Sequence, residues 1–318
     1  MKWLKQFTRN ILSVPLIGRP ISVILARVRA LTLARRIDEL CGYVPKIVVG
    51  VIKLQHDHEI EFRMSSQSGK DQVARAVHWH GGEAFEQPLP KLVALLARAS
   101  DLLLDVGANT GIYSLIAAAS DPNILIYAFE PVPEIVNALE HNVELNSNCN
   151  RIDVRRLAVA ESVGNATLYI PLDRRKSIET SASLNRNFRE QHEYSVDVAT
   201  VTIDAVCNTL SSGSRLLIKA DVEGAEETLV MGSIETLRRL RPIIAIEMLQ
   251  RSAENGYEKL LEAEGYMGFA LTNDQLRELE RIEPVADSPN LLLCPQEKVE
   301  PMLQMFSCNG FKCTRLSK

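Results

Sequence analysis

No C-x-x-C pair occurs in this 318-residue chain, although it holds six cysteines, at Cys41, Cys149, Cys207, Cys294, Cys308 and Cys313. Scattered thiols in a chain this long exclude a disulfide framework and suit a reducing cytosol; only Cys308 and Cys313 are near enough in sequence to touch. An excess of positive charge is also missing: 36 Lys and Arg face 40 Asp and Glu, for a net charge of −4. That balance argues against a surface dedicated to phosphodiester backbones, so no nucleic-acid partner is expected. Nor does any run of apolar residues reach the roughly 20 needed to span a bilayer. The 46% hydrophobic and 24% charged residues are ordinary for a soluble globular protein, and the length fits one large α/β domain with an appendage, or two small domains.

Acidic residues are absent from positions 1–36, where Lys2, Lys5, Arg9, Arg19, Arg27, Arg29, Arg35 and Arg36 alternate with Trp3, Phe7, Ile11, Leu12 and other apolar residues. Two readings stand open: a basic amphipathic helix in peripheral contact with a membrane, or a helix pair docked on the main domain. A secretory signal fits less well, because Pro15 and Arg19 interrupt the apolar core. Beyond it, Ile47–Leu54 and Ile60–Met64 look like a β-hairpin. The pairs His56/His58 and His78/His80 would each share one face of a strand, and without a nearby cysteine ligand a solvated face is the better account than zinc. No metal site is expected.

From residue 87 the pattern alternates. A helix is expected over Gln87–Arg98, then strands at Leu102–Val106, Ile124–Glu130, Ile152–Ala158, Arg215–Asp221, Ile243–Glu247, Tyr266–Leu271 and Leu291–Cys294. Helices are expected at Gly111–Ala119, Pro133–Asn146, Ile203–Thr209, Ala225–Leu240 and Gly256–Glu264. This is the pattern of an α/β fold with a largely parallel sheet covered on both faces. Ala166–Ile170 and Val196–Val201 interrupt it as two further strands, flanking a polar stretch, Asp173–Ser195, that is well placed to cover a substrate.

The most informative segment is Asp105-Val106-Gly107-Ala108-Asn109-Thr110-Gly111, a glycine turn between an apolar strand and a helix. Such a turn offers helix-end N–H groups to a ligand. Glu130, 25 positions after Asp105, closes the next strand, where a carboxylate accepts hydrogen bonds from ribose hydroxyls. A dinucleotide site wants glycine where Asn109 stands, and Asp105 would repel a pyrophosphate. A cationic, phosphate-free nucleoside suits both departures, which points to S-adenosyl-L-methionine over a nicotinamide.

DVGANTGIYS (Asp105–Ser114), FEP (Phe129–Pro131), IKADVEGAE (Ile218–Glu226), PIIAIE (Pro242–Glu247) and NLLLCP (Asn290–Pro295) resemble, in order and spacing, the motifs of the FkbM-type S-adenosylmethionine-dependent methyltransferases. The likeness covers roughly residues 85 to 295, and DVEGAE is its most family-specific part. It implies a Rossmann-like class I methyltransferase: a seven-stranded, mostly parallel sheet whose last strand is antiparallel and inserted beside the fifth. It also implies O-methylation of hydroxyls on sugars, polyketides and related metabolites, with a small-molecule, glycan or lipid-linked acceptor. On this basis the chain divides into a basic segment (1–45), a hairpin leader (46–84), the methyltransferase domain (85–300) and a tail (301–318).

The cofactor residues expected are Asp105, Gly107, Ala108, Asn109 and Gly111 around the turn, Glu130 and Pro131 at the ribose, Ala158 at adenine, and Asp221 facing both cofactor and substrate. Asp221, Glu223 and Glu247 end neighbouring strands and are the catalytic candidates, as base, as binders of sugar hydroxyls, or as ligands of a divalent cation. Lys219 shares a face with Asp221 and is expected to ion-pair with one of these acids; His192 is an outside candidate base. Glu226 and Glu227 suit the first turn of a helix. No Asn/Asp-Pro-Pro-Tyr/Phe sequence of the kind used in base amino-group methylation follows the fourth strand. The competing readings are a metal-dependent O-methyltransferase and a cofactor-binding protein without turnover.

Overall fold

The five residues Leu102–Val106 are all buried, as are Leu216–Ala220, which is what strands covered on both faces require. They lie side by side at the centre of the sheet in the computed structural model, which describes residues 44–55, 58–147, 149–171, 182–186, 192–249, 256–273 and 275–316. The basic segment 1–36, His56, most of the polar stretch 173–195 and the side chain of His192 lie outside the described residues.

The first half comprises β1 (Ile47–Lys53), β2 (Glu59–Ser65), α1 (Gln72–His80), α2 (Leu89–Arg98), β3 (Leu102–Val106), α3 (Ile112–Ser120), β4 (Leu125–Phe129), α4 (Pro133–Glu144), β5 (Ile152–Arg155), β6 (Ala158–Val159), β7 (Gly164–Pro171) and β8 (His192–Val201). The second comprises α5 (Ile203–Cys207), β9 (Leu216–Ala220), α6 (Glu226–Met231), α7 (Ile234–Arg239), β10 (Ile243–Glu247), α8 (Tyr257–Ala263), β11 (Tyr266–Thr272), β12 (Gln275–Glu278), β13 (Asn290–Pro295), α9 (Val299–Cys308) and β14 (Lys312–Thr314).

The main sheet runs β14-β12-β11-β13-β10-β9-β3-β4-β5. Strands β5, β4, β3, β9 and β10 are parallel, and β13 is antiparallel to both β10 and β11. The expected seven strands and the inserted antiparallel last strand are therefore present, but the sheet has nine. The two extra strands, β12 and β14, are short and pair in parallel at the edge. Only Leu276 of β12 carries a buried apolar side chain, and Arg315, just past β14, is clamped to Glu278 at 2.7 Å. Edge strands this short and polar leave almost no periodic signal.

Three other expectations are corrected. Ile152–Ala158 is not one strand: the chain leaves the main sheet after Arg155, and β6 joins β7 and β8 in a separate three-stranded sheet. Ala225–Leu240 is two helices, broken at Gly232, where a Cβ would lie 2.2 Å from the Ala160 carbonyl. His78 and His80 sit on α1, not on a strand; Asp71 caps that helix by accepting from the Ala74 N–H at 2.9 Å.

The core has two faces. The hairpin β1–β2 and helices α1, α2, α3 and α9 cover one, with Phe62, Leu92, Ile116 and Phe306 fully buried. Helices α5 to α8 cover the other, around Ile203, Leu237 and Leu261. A smaller cluster, Val132, Ile135, Ala158, Leu168, Ile170 and Val198, lies beneath the three-stranded sheet. Among the described residues no helix is long and apolar enough to cross a membrane.

Candidate active site

Parallel strands carry their ligands beyond their carboxyl ends, and here the ends of β3, β4 and β9 meet at one place. After β3 the chain must turn sharply into α3, and it does so through Gly107 (φ +72°), Asn109 (φ +52°) and Gly111 (φ +94°). Glycine is required at 107, because a Cβ there would lie 1.8 Å from the Asp221 carbonyl oxygen. The β3 and β9 turns therefore touch through bare backbone.

Beside this contact lies a pocket open to solvent, walled by Gly107 and Asn109 from the first turn, Glu130 and Pro131 after β4, Leu157, Ala158 and Val159 around β6, and Asp221 and Glu223 after β9. Ile135, Leu168, Ala182 and Leu184 complete an apolar side. Of the expected cofactor residues, Gly107, Asn109, Glu130, Pro131, Ala158 and Asp221 thus share one wall. Ala108 and Gly111 stand behind it: the Ala108 N–H donates to the Phe129 carbonyl at 2.9 Å, and Gly111 backs onto Leu139.

Glu130 accepts from the Asn109 N–H at 3.0 Å and the Val132 N–H at 2.9 Å, which fixes its carboxylate at the cavity edge. Burial raises its pKa to about 7, with the Asp221 and Asp105 charges adding to the rise and the two N–H donors opposing it.

Asp105 is not in the wall. It is fully buried, and one carboxylate oxygen accepts from the Ser114 N–H at 2.9 Å and the Ser114 hydroxyl at 2.6 Å, tying β3 to α3. Its other oxygen is buried without a hydrogen-bond partner. Removing the hydroxyl in Ser114→Ala leaves this carboxylate one backbone donor, so stability is expected to fall by about 1–2 kcal/mol in a urea titration at pH 7.

Lys219 is the cation of this region. It is 2% exposed, lies opposite Asp105 in the β3–β9 register and ion-pairs with Asp221 at 3.2 Å, as its position two residues before Asp221 leads one to expect. Its ammonium sits 4.9 Å from the Tyr113 ring centroid. Burial works against its charge, but Asp221, Glu86 and Asp105 together hold its pKa above the usual lysine range. Tyr113 in turn donates from its hydroxyl to Glu86 at 2.5 Å. The Glu86 pKa is raised, by burial first; Lys219 opposes the rise and the Asp221 charge adds to it.

Glu247, at the end of β10, meets Asp221 but is not in the cavity wall. Burial, the Asp221 charge and a hydrogen bond to Asp221 push its pKa up to about 9. Glu223 is in the wall, in the left-handed region at φ +50°, with its carbonyl accepting from the Ser183 hydroxyl at 2.6 Å. Glu226 begins α6 and accepts from the Gly224 N–H at 3.0 Å. Among the described residues no group of three or more His, Cys, Asp or Glu side chains is disposed to hold a metal ion.

With this geometry in place, comparison with known proteins is decisive for the family. Residues 105–298 match the family described as Methyltransferase FkbM domain. The chain belongs to the FkbM methyltransferase family. It is 26% identical over 179 residues to "Methyltransferase 1" of Beauveria bassiana, covering 52% of this chain and 71% of that one. It is 25% identical over 161 residues to "2-O-methyltransferase NoeI" of Sinorhizobium fredii, covering 48% of this chain and 65% of that one. A crystal structure of Methyltransferase FkbM from Methylobacillus flagellatus aligns with a TM-score of 0.41 at 14% identity, over 89% of this chain and 60% of that one.

Sequence reasoning missed Tyr113 and Ser183 within the matched FkbM domain, and Glu86 just ahead of it. Tyr113 lies inside the motif DVGANTGIYS, so its place near the turn was readable; its partner was not. Glu86 comes from the loop before α2, and its approach to Tyr113 and Lys219 is a tertiary contact that no local pattern announces.

Proposed function

We propose that this FkbM-family methyltransferase uses S-adenosyl-L-methionine to methylate a hydroxyl of a sugar, glycolipid or glycosylated secondary metabolite. The observation that carries the reading is the composition of the cavity: carboxyl groups at Glu130, Asp221 and Glu223 beside an apolar side wall. A phosphate would be repelled there, whereas hydroxyls, an ammonium group and a purine each find a matching surface. Glu130 would hold the ribose hydroxyls, the Gly107–Asn109 turn the amino-acid end, and Ile135, Leu157 and Ala158 the purine. The name of the Sinorhizobium relative, a 2-O-methyltransferase, supports oxygen as the acceptor atom.

When bound, the donor supplies a methyl group on a positively charged sulfur. The protein's share is to orient a hydroxyl and remove its proton. Burial and the neighbouring Asp221 charge keep the Glu247 carboxyl protonated at neutral pH. Loss of that proton gives a base strong enough for a sugar hydroxyl, while Glu223 orients the acceptor. Lys219 holds the Asp221 carboxylate in place through their ion pair.

Labelled methyl transfer to oligosaccharide and glycolipid extracts tests the reading. Turnover is expected to rise with pH toward about 9, as Glu247 gives up its proton, and to be flattened by Glu247→Gln. It is also expected to survive a chelator, whereas loss with the chelator would favour Asp221, Glu223 and Glu247 as metal ligands. Donor binding with no transfer to any hydroxyl would leave the cofactor-binding protein without turnover. A cytoplasmic setting, with peripheral membrane contact through residues 1–36, belongs to the same proposal. It is supported by the cysteines Cys207, Cys294, Cys308 and Cys313, all unpaired, and by the basic composition of that segment.

A further inference from the structure

Ser183 is 2% exposed and belongs to the short piece 182–186 between β7 and β8. Its backbone is pinned to the edge of β7: the Tyr169 N–H donates to the Ser183 carbonyl at 2.9 Å, and the Ser183 N–H donates back at 3.1 Å. Its side chain points the other way in bonding terms. The hydroxyl donates to the Glu223 carbonyl at 2.6 Å and accepts from the Asn185 N–H at 2.9 Å. Asn185 adds a second tie, donating from its amide to the Gly224 carbonyl at 3.2 Å. The neighbours Ala182 and Leu184 form part of the apolar cavity wall. One short segment therefore walls the nucleoside side and grips the turn that carries Glu223. That turn holds a non-glycine residue at φ +50°, a conformation that persists only when its surroundings impose it.

We propose that Ser183 is a positioning residue that couples occupancy of the nucleoside side of the cavity to the placement of Glu223 at the acceptor side. The proposal rests on the S-adenosylmethionine reading above. A ligand pressed between Leu157 and the 182–186 wall steadies that wall, and the Ser183 hydroxyl passes the constraint to the Glu223 backbone.

The test is amide hydrogen exchange of the full chain, with and without S-adenosylhomocysteine, in the wild type and in Ser183→Ala, Ser183→Thr and Asn185→Ala. In the wild type the ligand is expected to slow exchange at Val222–Ala225 about tenfold. In Ser183→Ala the ligand binds about three- to tenfold more weakly, as expected for one lost hydrogen bond. There the slowing at Val222–Ala225 disappears while that at Gly107–Gly111 persists; Ser183→Thr, which keeps the hydroxyl, restores it. Equal slowing at both turns in Ser183→Ala, or equal loss at both, overturns the proposal. Should Ser183→Ala not fold, Asn185→Ala must still weaken slowing at Val222–Ala225 selectively, and an unchanged profile overturns it. A wild type that ignores the ligand would sink the donor reading instead; the clasp would then still require faster exchange at Val222–Ala225 in unliganded Ser183→Ala or Asn185→Ala, and unchanged exchange overturns it.

Discussion

Lys219→Met is expected to lower stability by about 3–5 kcal/mol at pH 8, the usual cost of leaving buried charges without their partner. Lys219 is fully enclosed, and three acids, Asp221, Glu86 and Asp105, raise its pKa although burial opposes its charge. Because that pKa lies above the usual lysine range, the ammonium stays charged from pH 5 to 9, and its contribution is lost only in strong alkali. The carboxyls of Asp105 and Glu86 behave in the opposite sense. Burial already raises both, and removing the cation raises them further. Their protonated forms need no counter-charge, so the deficit of Lys219→Met should shrink as pH falls through those raised values. Denaturant midpoints of the two proteins at pH 5 and pH 8 check this. A deficit equal at both pH values would mean that Lys219 contributes packing rather than charge.

Glu130→Gln is expected to weaken S-adenosylhomocysteine binding about 100-fold at pH 8, the loss of two hydrogen bonds to a charged acceptor. The side chain already accepts two backbone N–H bonds, and a Gln amide turned toward either donor adds a repulsion. With a pKa of about 7, Glu130 must lose a proton before both oxygens can accept ribose hydroxyls. Wild-type affinity should therefore rise about tenfold from pH 6 to pH 8, and the Gln variant should be flat across that window. Calorimetry in two buffers of different ionisation enthalpy would detect the proton released. A flat wild-type profile would remove Glu130 from the ribose.

The central fold was legible because its signals are local. Leu102–Val106 and the glycine turn announce a strand and a helix in twelve residues, and Glu130 follows at the spacing of one βαβ unit. The antiparallel placement of Asn290–Pro295 came from the family resemblance, and the structure bears it out. What failed was what depends on tertiary contact. The break at Gly232 falls where the Ala160 carbonyl, just past β6, leaves no room for a Cβ, and the helical pattern on both sides conceals it. His78-x-His80 suggested a strand, yet Val73, Ala74 and Val77 are buried on one face of α1 behind the Asp71 cap, a helical spacing present in the sequence and outweighed by the histidines. Glu86 and Ser183 carry no pattern at all. Each lies in a loop whose path over the sheet decides what it touches.

The proposed function requires the cavity to take an adenosyl amino-acid ligand and refuse a phosphate-bridged one. Titrating the folded protein at pH 8 with S-adenosylhomocysteine and, separately, with NAD measures that choice directly. Micromolar binding of the first and no heat from the second is the predicted result. A folded protein that binds NAD, or that leaves S-adenosylhomocysteine untouched, would contradict it.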